Sequence, residues 1–550
     1  MPGPSRPLAD PRPMTADDLW ALARIGAPTP APDGTFAVVP VTTYDMSANK
    51  GRTRLWRVPA DGGESLPLTA SDVSSDQAAF SPDGKWLTFI RRRDGEKPQL
   101  YRMALGGGEA EKLTDLPLGA ADPKWFPDGT ALVFVAPVIM PELVATVPPI
   151  PGAAPTAAAT TAPPAATGTS SAPAGTPVEP PTLVTTRRLM AQRDAEPVKA
   201  RVTEDRVFRY WDRWLTGGEV PHLFAIDLAT RSLSDLTPES TRWFDFMEPC
   251  GQYDLSPDGS ELAFTADASP APHQVMNWDL FTLAVTRDDA GIRKGGAVTN
   301  ITADNPGNDL KPRYAPDGDS ILYGRDTDLF FYADRVRLAR YDRRTKQHEV
   351  LTEAWDRSLA GWEWRPDGKS IWLTAEHEGR QAIFTMPPAV ITMPELLVKG
   401  GVAAGLAAAK DGAAWFTHQD LSHPAELHRL APDGPMTRLT RFNDDRLAGL
   451  AMGKVEDRTF AGAGGAKVQM YLVYPPGFDA SKKYPLVHVI HGGPHGISGD
   501  QFHPRWNAQM FAAPGYVVAM VNFHGSTSWG QDFAASIVGD HPTKPFADIM

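Results

Sequence analysis

Ser81-Pro82-Asp83-Gly84-Lys85-Trp86-Leu87-Thr88-Phe89-Ile90 is the stretch on which the fold turns. Pro presets φ, Asp can bond its own backbone two residues on, and Gly accepts positive φ, so Pro-Asp-Gly reads as a tight turn. A turn of this kind joins two antiparallel strands. Lys85–Ile90 then alternates polar and apolar residues, as a strand with one buried face does. The triplet recurs with its Asp at Asp33, Asp83, Asp128, Asp258, Asp317 and Asp367, and in degenerate form at Lys410-Asp411-Gly412. Successive spacings are 50, 45, 130, 59, 50 and 44 residues. Pro432-Asp433-Gly434 falls off this rhythm and reads as a turn between later strands of the last repeat.

Each copy carries the same sequel. A third strand follows at Gln99–Met103, Leu223–Asp227 and Gln381–Thr385. Most repeats close on Leu-Thr or Ile-Thr, at Thr69, Thr114, Thr237, Thr302, Thr352 and Thr440; the sixth closes near Leu396-Leu397-Val398. Four strands in about 45 residues is the period of a β-propeller blade. Seven copies predict a seven-bladed, all-β propeller over residues 27–445. The spacing of 130 is explained by residues 137–186, which are mostly Pro, Ala and Thr. Such a composition cannot bury enough apolar surface to fold, so a disordered insertion in blade three is expected. The blade should resume at Arg201. Ahead of the first blade, residues 1–26 form an extension in which Thr15–Arg24 reads as a short helix with an N-cap Thr and an acidic first turn.

Beyond Thr440 the pattern changes, and residues 446–550 read as an α/β region. Val468–Tyr474 alternates and ends at Pro475-Pro476-Gly477. Leu486–Ile490 is a continuous apolar run, expected to be a strand buried on both faces. Arg505–Ala513 can be a helix, and Tyr516–Val521 a second buried strand. Strand, loop, helix, strand at this spacing predicts a parallel sheet. The first of these strands runs into His491-Gly492-Gly493-Pro494-His495. In α/β-hydrolases a loop of this kind follows the third strand and lends a backbone N–H to an oxyanion hole. The nucleophile pentapeptide of that fold, G-x-S-x-G, does not occur in the 550 residues.

Bulk composition excludes other classes. The net charge is −12 and the pI about 5.6, which argues against a nucleic-acid footprint. With Cys250 as the single cysteine, no intrachain disulfide can form, and a reducing, cytoplasmic setting is expected. The first residues lack the apolar core of a signal peptide, and no apolar run reaches 18 residues, so no membrane contact is expected.

A propeller followed by an α/β-hydrolase resembles the prolyl oligopeptidase family of serine peptidases, and the resemblance covers nearly the whole chain. His491–Gly496 and Asn522–Gly530 are similar to the loops after two adjacent hydrolase strands of that family. Gly539-Asp540, Lys544-Pro545 and Asp548 are similar to its run leading toward the nucleophile strand. Within the family the acylaminoacyl-peptidase and dipeptidyl-peptidase-5-like branch fits best, and Arg209–Trp214 resembles a motif of the latter.

The resemblance implies acyl transfer from a short peptide to a Ser, with a His and an Asp as partners, and places that triad beyond Met550. It implies no cofactor. By position, Gly493 would donate its backbone N–H to the tetrahedral oxyanion; losing one such donor typically costs about 2.7–4 kcal/mol. Arg209 and Trp211 are the candidate substrate contacts in the propeller. His491 at a strand end is expected to be structural, as are Ser526 and Ser528. The cluster His488, His491, His495, His503 fits no trusted zinc spacing, so no metal is expected. An incomplete hydrolase sheet would leave Tyr516–Val521 as an exposed apolar edge. Such an edge fits a homodimer, or a complementing chain that carries the rest of the hydrolase. The 550 residues alone are expected to be inactive as a peptidase. The alternative is a non-catalytic propeller that binds a peptide or protein partner.

Overall fold

The computed structural model describes residues 11–144, 179–197, 200, 203, 207–244, 250–269, 275–432 and 434–550. Among the described residues up to 440, six sheets besides a two-stranded hairpin contain seven units in chain order, each of four strands. The first strand of unit 1 is broken into two pieces, and both pair with Phe36–Asp45. Units 6 and 7 are counted within one eight-stranded sheet, joined by a parallel bridge at Gln381↔Val402. The Pro-Asp-Gly turns behave as their chemistry predicts. In all seven copies the Asp side chain accepts the N–H two residues on, at 3.0–3.1 Å. The seven glycines have φ between +65° and +82°, where a Cβ would be strained.

The closing threonines have a role that explains their recurrence. Each of the six hydroxyls accepts a backbone N–H from the third strand of its unit, at 2.9–3.1 Å: Thr69 from Leu55, Thr114 from Leu100, Thr237 from Leu223, Thr302 from Leu280, Thr352 from Leu338 and Thr440 from Leu427. All six threonines are buried. The outermost strands are short, so a side chain supplies the acceptor that backbone pairing leaves out.

Apolar cores lie between successive units. Phe36, Val38 and Leu55 of unit 1 pack on Leu87 and Phe89 of unit 2. The series continues unit by unit to a core in which Trp415 and Leu427 of unit 7 meet Val39 and Val58 of unit 1. Among the described residues no blade strand is shared between the two ends. Asn443 clamps them instead: its Oδ1 accepts the Ala23 N–H at 2.8 Å and its Nδ2 donates to the Ala23 carbonyl at 3.0 Å. The leading helix spans Ala16–Ala21 and is capped by Thr15, with Asp18 completing a capping box. Around it, Met14 and Leu22 pack on Leu450 and Phe502, so the extension docks on the C-terminal region.

One expectation about the propeller needs correction, at both ends of a tract. The tract expected to be disordered from 137 begins as strand: Ala131–Val144 is continuous, and Val138, Ile139 and Met140 are buried. It ends as helix, Pro181–Ala195, with Leu183 in the core beneath. Apolar residues at its ends were diluted in a composition dominated by Pro, Ala and Thr. Residues 145–178 lie outside the described set. Arg201, where the blade was expected to resume, lies outside the described residues; the third strand of this unit spans Gly217–Asp227.

The C-terminal sheet has the spatial order Val455–Ala461, Lys467–Val473, Val517–Asn522, Leu486–His488. Only the last pair is parallel. The later strand therefore inserts between two earlier ones, and Val517–Asn522 is interior, with Val518–Val521 buried. Leu486–His488 is the edge strand, with Leu486 exposed, and the neighbouring Ile490 is exposed too. This reverses the expectation that Leu486–Ile490 was buried on both faces and Tyr516–Val521 the edge. Chain order does not give spatial order when a crossover intervenes. The helix of this region is shorter than expected, Ala508–Ala512, capped by Asn507.

Candidate functional site: the loop after an edge strand

The edge strand delivers the chain into the His491–His495 loop. Gly493 there has φ +137°, and a Cβ built on it would lie 2.4 Å from the His495 carbonyl oxygen. Both constraints demand glycine. Gly492 and Gly493 are exposed, and among the described residues neither backbone N–H donates to a protein acceptor. Two unengaged amides at a strand end can donate to an incoming carbonyl or carboxylate oxygen. A cavity of about 780 Å³ opens beside them, lined by Val487, Val489, Ile490, Ile497, Trp506 and Phe511.

The surrounding side chains hold the loop. His491 stacks on Phe523, ring centres 4.2 Å apart, and its Nε2 lies 2.9 Å from Ser526 Oγ. Burial pushes the His491 pKa below the usual histidine value, so its ring is neutral at pH 7. Ser526 is fully buried and out of reach of a substrate. The Nδ1 of His491 faces the Gly492 carbonyl at 3.3 Å rather than a carboxylate, so the His–Ser pair lacks the acid that orients a catalytic base. His495 is buried, and its Nδ1 donates to the Gly525 carbonyl at 2.9 Å. His503 Nδ1 accepts two backbone N–H groups, from Arg505 and Trp506. His491, His495 and His503 thus have different hydrogen-bond partners, while His488, His491 and His503 all line the cavity. Among the described residues no three His, Cys, Asp or Glu side chains are grouped as metal ligands.

Three further side chains hold the segments around the site. Asp548 is buried at a helix end; it accepts the N–H groups of Ala463 and His524 at 2.7 Å each and lies 2.6 Å from His524 Nδ1. Ser528 Oγ accepts the Gly379 N–H at 2.9 Å, joining unit 6 to the loop after Val517–Asn522. Asp500 accepts N–H groups from Leu421 and Gly401 at 3.1 and 3.3 Å, while its own N–H donates to the Gly379 carbonyl.

Arg209 and Trp211 stand on a small hairpin of unit 3, Arg209–Tyr210 paired with Arg213–Trp214. The Arg209 guanidinium lies over Trp214 at 5.6 Å, and Trp211 is 75% exposed at the turn, with φ +51°. The propeller side chains in contact with the His491–His495 loop come from unit 5: Phe331 and Tyr332 meet the His495 ring edge-on at 5.0 and 5.2 Å. A run of three aromatics at Phe330–Tyr332 in a turn was the available signal.

The profile of the prolyl oligopeptidase family matches residues 501–550. Dipeptidyl-peptidase 5 of Aspergillus fumigatus is 27% identical over 375 residues, 64% of this chain and 51% of the relative. Dipeptidyl-peptidase 5 of Arthroderma otae is 30% identical over 312 residues, 54% of this chain and 42% of the relative. The chain thus spans about half the length of the curated relatives it matches. Among solved structures, an acylaminoacyl peptidase in complex with Z-Gly-Gly-Phe-chloromethyl ketone superposes with a TM-score of 0.69 at 16% identity, covering 97% of this chain and 71% of that one. A puromycin-hydrolyzing peptidase of Mycobacterium tuberculosis gives 0.61 at 17% identity, covering 96% and 71%. These structures share the fold, antiparallel propeller-type sheets followed by an α/β sheet. Fold, loop and sequence relatives agree in their likeness to the prolyl oligopeptidase family, whose profile residues 501–550 match.

Proposed function

We propose that the seven units are the blades of a seven-bladed propeller. In this reading residues 446–550 are the leading part of a hydrolase domain, and the whole protein cleaves short peptides by serine acyl-enzyme chemistry. The observation that carries the reading is Gly493: a glycine-only backbone with an exposed, unengaged N–H at the end of an edge strand. Its part is to hold the substrate carbonyl oxygen and then the oxyanion formed from it. The relatives' names favour substrates with a free or acylated N-terminus, released as short pieces. Neither Ser526, buried and paired with His491, nor Ser528, bonded to Gly379, suits the nucleophile's part. The single cysteine supports a cytoplasmic setting.

These 550 residues supply binding and one oxyanion donor, without turnover. The test is to incubate the purified chain with alanyl-phenylalanine and acetyl-alanine p-nitroanilides, with and without a serine-directed phosphonofluoridate. The expected result is no p-nitroaniline release together with saturable binding of the substrates. Release that the reagent abolishes would overturn the assignment of the nucleophile to residues outside this chain. Absence of any peptide binding would overturn the peptidase reading of the site.

A further inference from the structure

Between the strands Ser320–Arg325 and Arg337–Asp342 of unit 5 runs Thr327-Asp328-Leu329-Phe330-Phe331-Tyr332-Ala333-Asp334. Asp334 is buried and holds this turn closed. Its Oδ2 accepts from the Thr327 N–H at 2.7 Å, the Thr327 hydroxyl at 3.0 Å and the Asp328 N–H at 3.1 Å. Its own N–H donates to the Phe331 carbonyl at 2.7 Å. Asp328 Oδ1 adds the Phe330 N–H at 3.0 Å. The turn is thus fixed before any ligand arrives, which lowers the ordering cost of binding.

On this rigid turn two aromatic rings face water: Phe330 is 85% exposed and Tyr332 67%. Single exposed apolar residues are ordinary, but two large rings two residues apart on a fixed turn mark a binding surface. The position of Tyr332 names the ligand. The Tyr332 hydroxyl oxygen accepts the His495 N–H at 3.2 Å, two residues beyond Gly493. Its own proton remains available to donate. A peptide whose carbonyl oxygen met the Gly493 amide would carry a neighbouring side chain toward these rings.

We propose that the Phe330–Tyr332 turn, held against the loop through Tyr332 and His495, forms a subsite near Gly493 that takes an aromatic side chain of a bound peptide. The inference rests on the peptide reading of the Gly493 loop. Aromatic pairs in offset or edge-on geometry gain beyond simple burial, which favours Phe or Tyr over an aliphatic residue of similar size.

The test is calorimetric titration of the 550-residue chain with acetyl-Phe-Ala-amide and acetyl-Gly-Ala-amide. The unaltered chain should prefer the Phe peptide by about tenfold. Phe330→Ala should erase most of that preference while leaving the affinity for the Gly peptide unchanged; Tyr332→Ala should erase it too, and Tyr332→Phe, which keeps the ring, should retain it. Phe330 is 85% exposed, so Phe330→Ala should melt at the parental temperature, checked by circular dichroism. Tyr332→Phe separates loss of the hydroxyl bond to His495 from loss of the ring. A Phe preference that persists in both alanine variants overturns the subsite and leaves the peptide reading standing. Failure of the unaltered chain to bind either peptide overturns the reading of the loop, and the subsite with it.

Discussion

At the scale of single residues, the recurring Thr and the buried Asp309 make opposite demands. Thr114 Oγ1 accepts the Leu100 N–H and donates to Gln99 Oε1 at 2.9 Å, all buried. Thr114→Val keeps the shape and strands the amide, so it should lower stability by about 1–3 kcal/mol in urea unfolding. Thr437→Val, on the exposed last strand, should stay within about 0.5 kcal/mol. Asp309 is fully buried, and burial raises its pKa to about 8 against the pull of Arg325, Asn305 and Thr302, with Asp279 adding to the rise. The native state then holds a proton that the unfolded chain, with a pKa near 4, releases. Stability therefore falls as pH rises from about 4 to 8, by up to about 1.4 kcal/mol per pH unit. Asp309→Asn removes the dependence, so its advantage over the parent should be larger at pH 8 than at pH 5. Equal urea midpoints for the pair at both pH values would show that Asp309 is not protonated in the fold. The Pro-Asp-Gly turns and the closing threonines were legible in the sequence because their partners lie within one repeat. Gly493 was legible because a whole loop motif surrounds it. The contact of Tyr332 with His495 was not, since 163 residues separate them and nothing local records it.

At the scale of elements, the misreadings share a cause. The apolar run Leu486–Ile490 looked like an interior strand because it is apolar throughout. Whether such a strand is flanked depends on where the next one lands, and Val517–Asn522 lands on its inner side. The strand Ala131–Val144 overran its expected end because its partner, Gly217–Asp227, is 11 residues long and pairs it as far as Val144. Local alternation sets strand type; tertiary pairing sets length and neighbours. The same holds for Asn443, an unremarked polar residue in sequence that is fully buried between the two ends of the propeller. Asn443→Ala removes both bonds to Ala23 and should lower stability by about 1–3 kcal/mol. Hydrogen exchange should report it first, as faster exchange at Ala23 and in Phe36–Asp45 with little change in units 3 to 5.

At the scale of the molecule, units 5, 6 and 7 carry the C-terminal region. Asp334 and Asp356 hold Gln531, Arg380 pairs with Asp457 at 2.8 Å, and Asp500 bridges units 6 and 7. Asp500→Ala leaves two backbone N–H groups without their acceptor, and should let the regions unfold separately. A second, earlier thermal transition and tryptic cleavage between residues 441 and 458 are the expected readouts; a single unshifted transition would show that the other contacts suffice. The closure at Asn443 spans 420 residues of chain. Bringing ends that far apart together costs about 2 kcal/mol more in loop entropy than closing one 45-residue repeat. On the ribosome the delay is also one of time. At about 5–20 residues per second, the flank of unit 1 waits roughly 20–80 s for unit 7 to be made. During that interval Val39, Val41 and Val58 have no partner, and the nascent chain presents to the cell's chaperones a face that the finished protein hides.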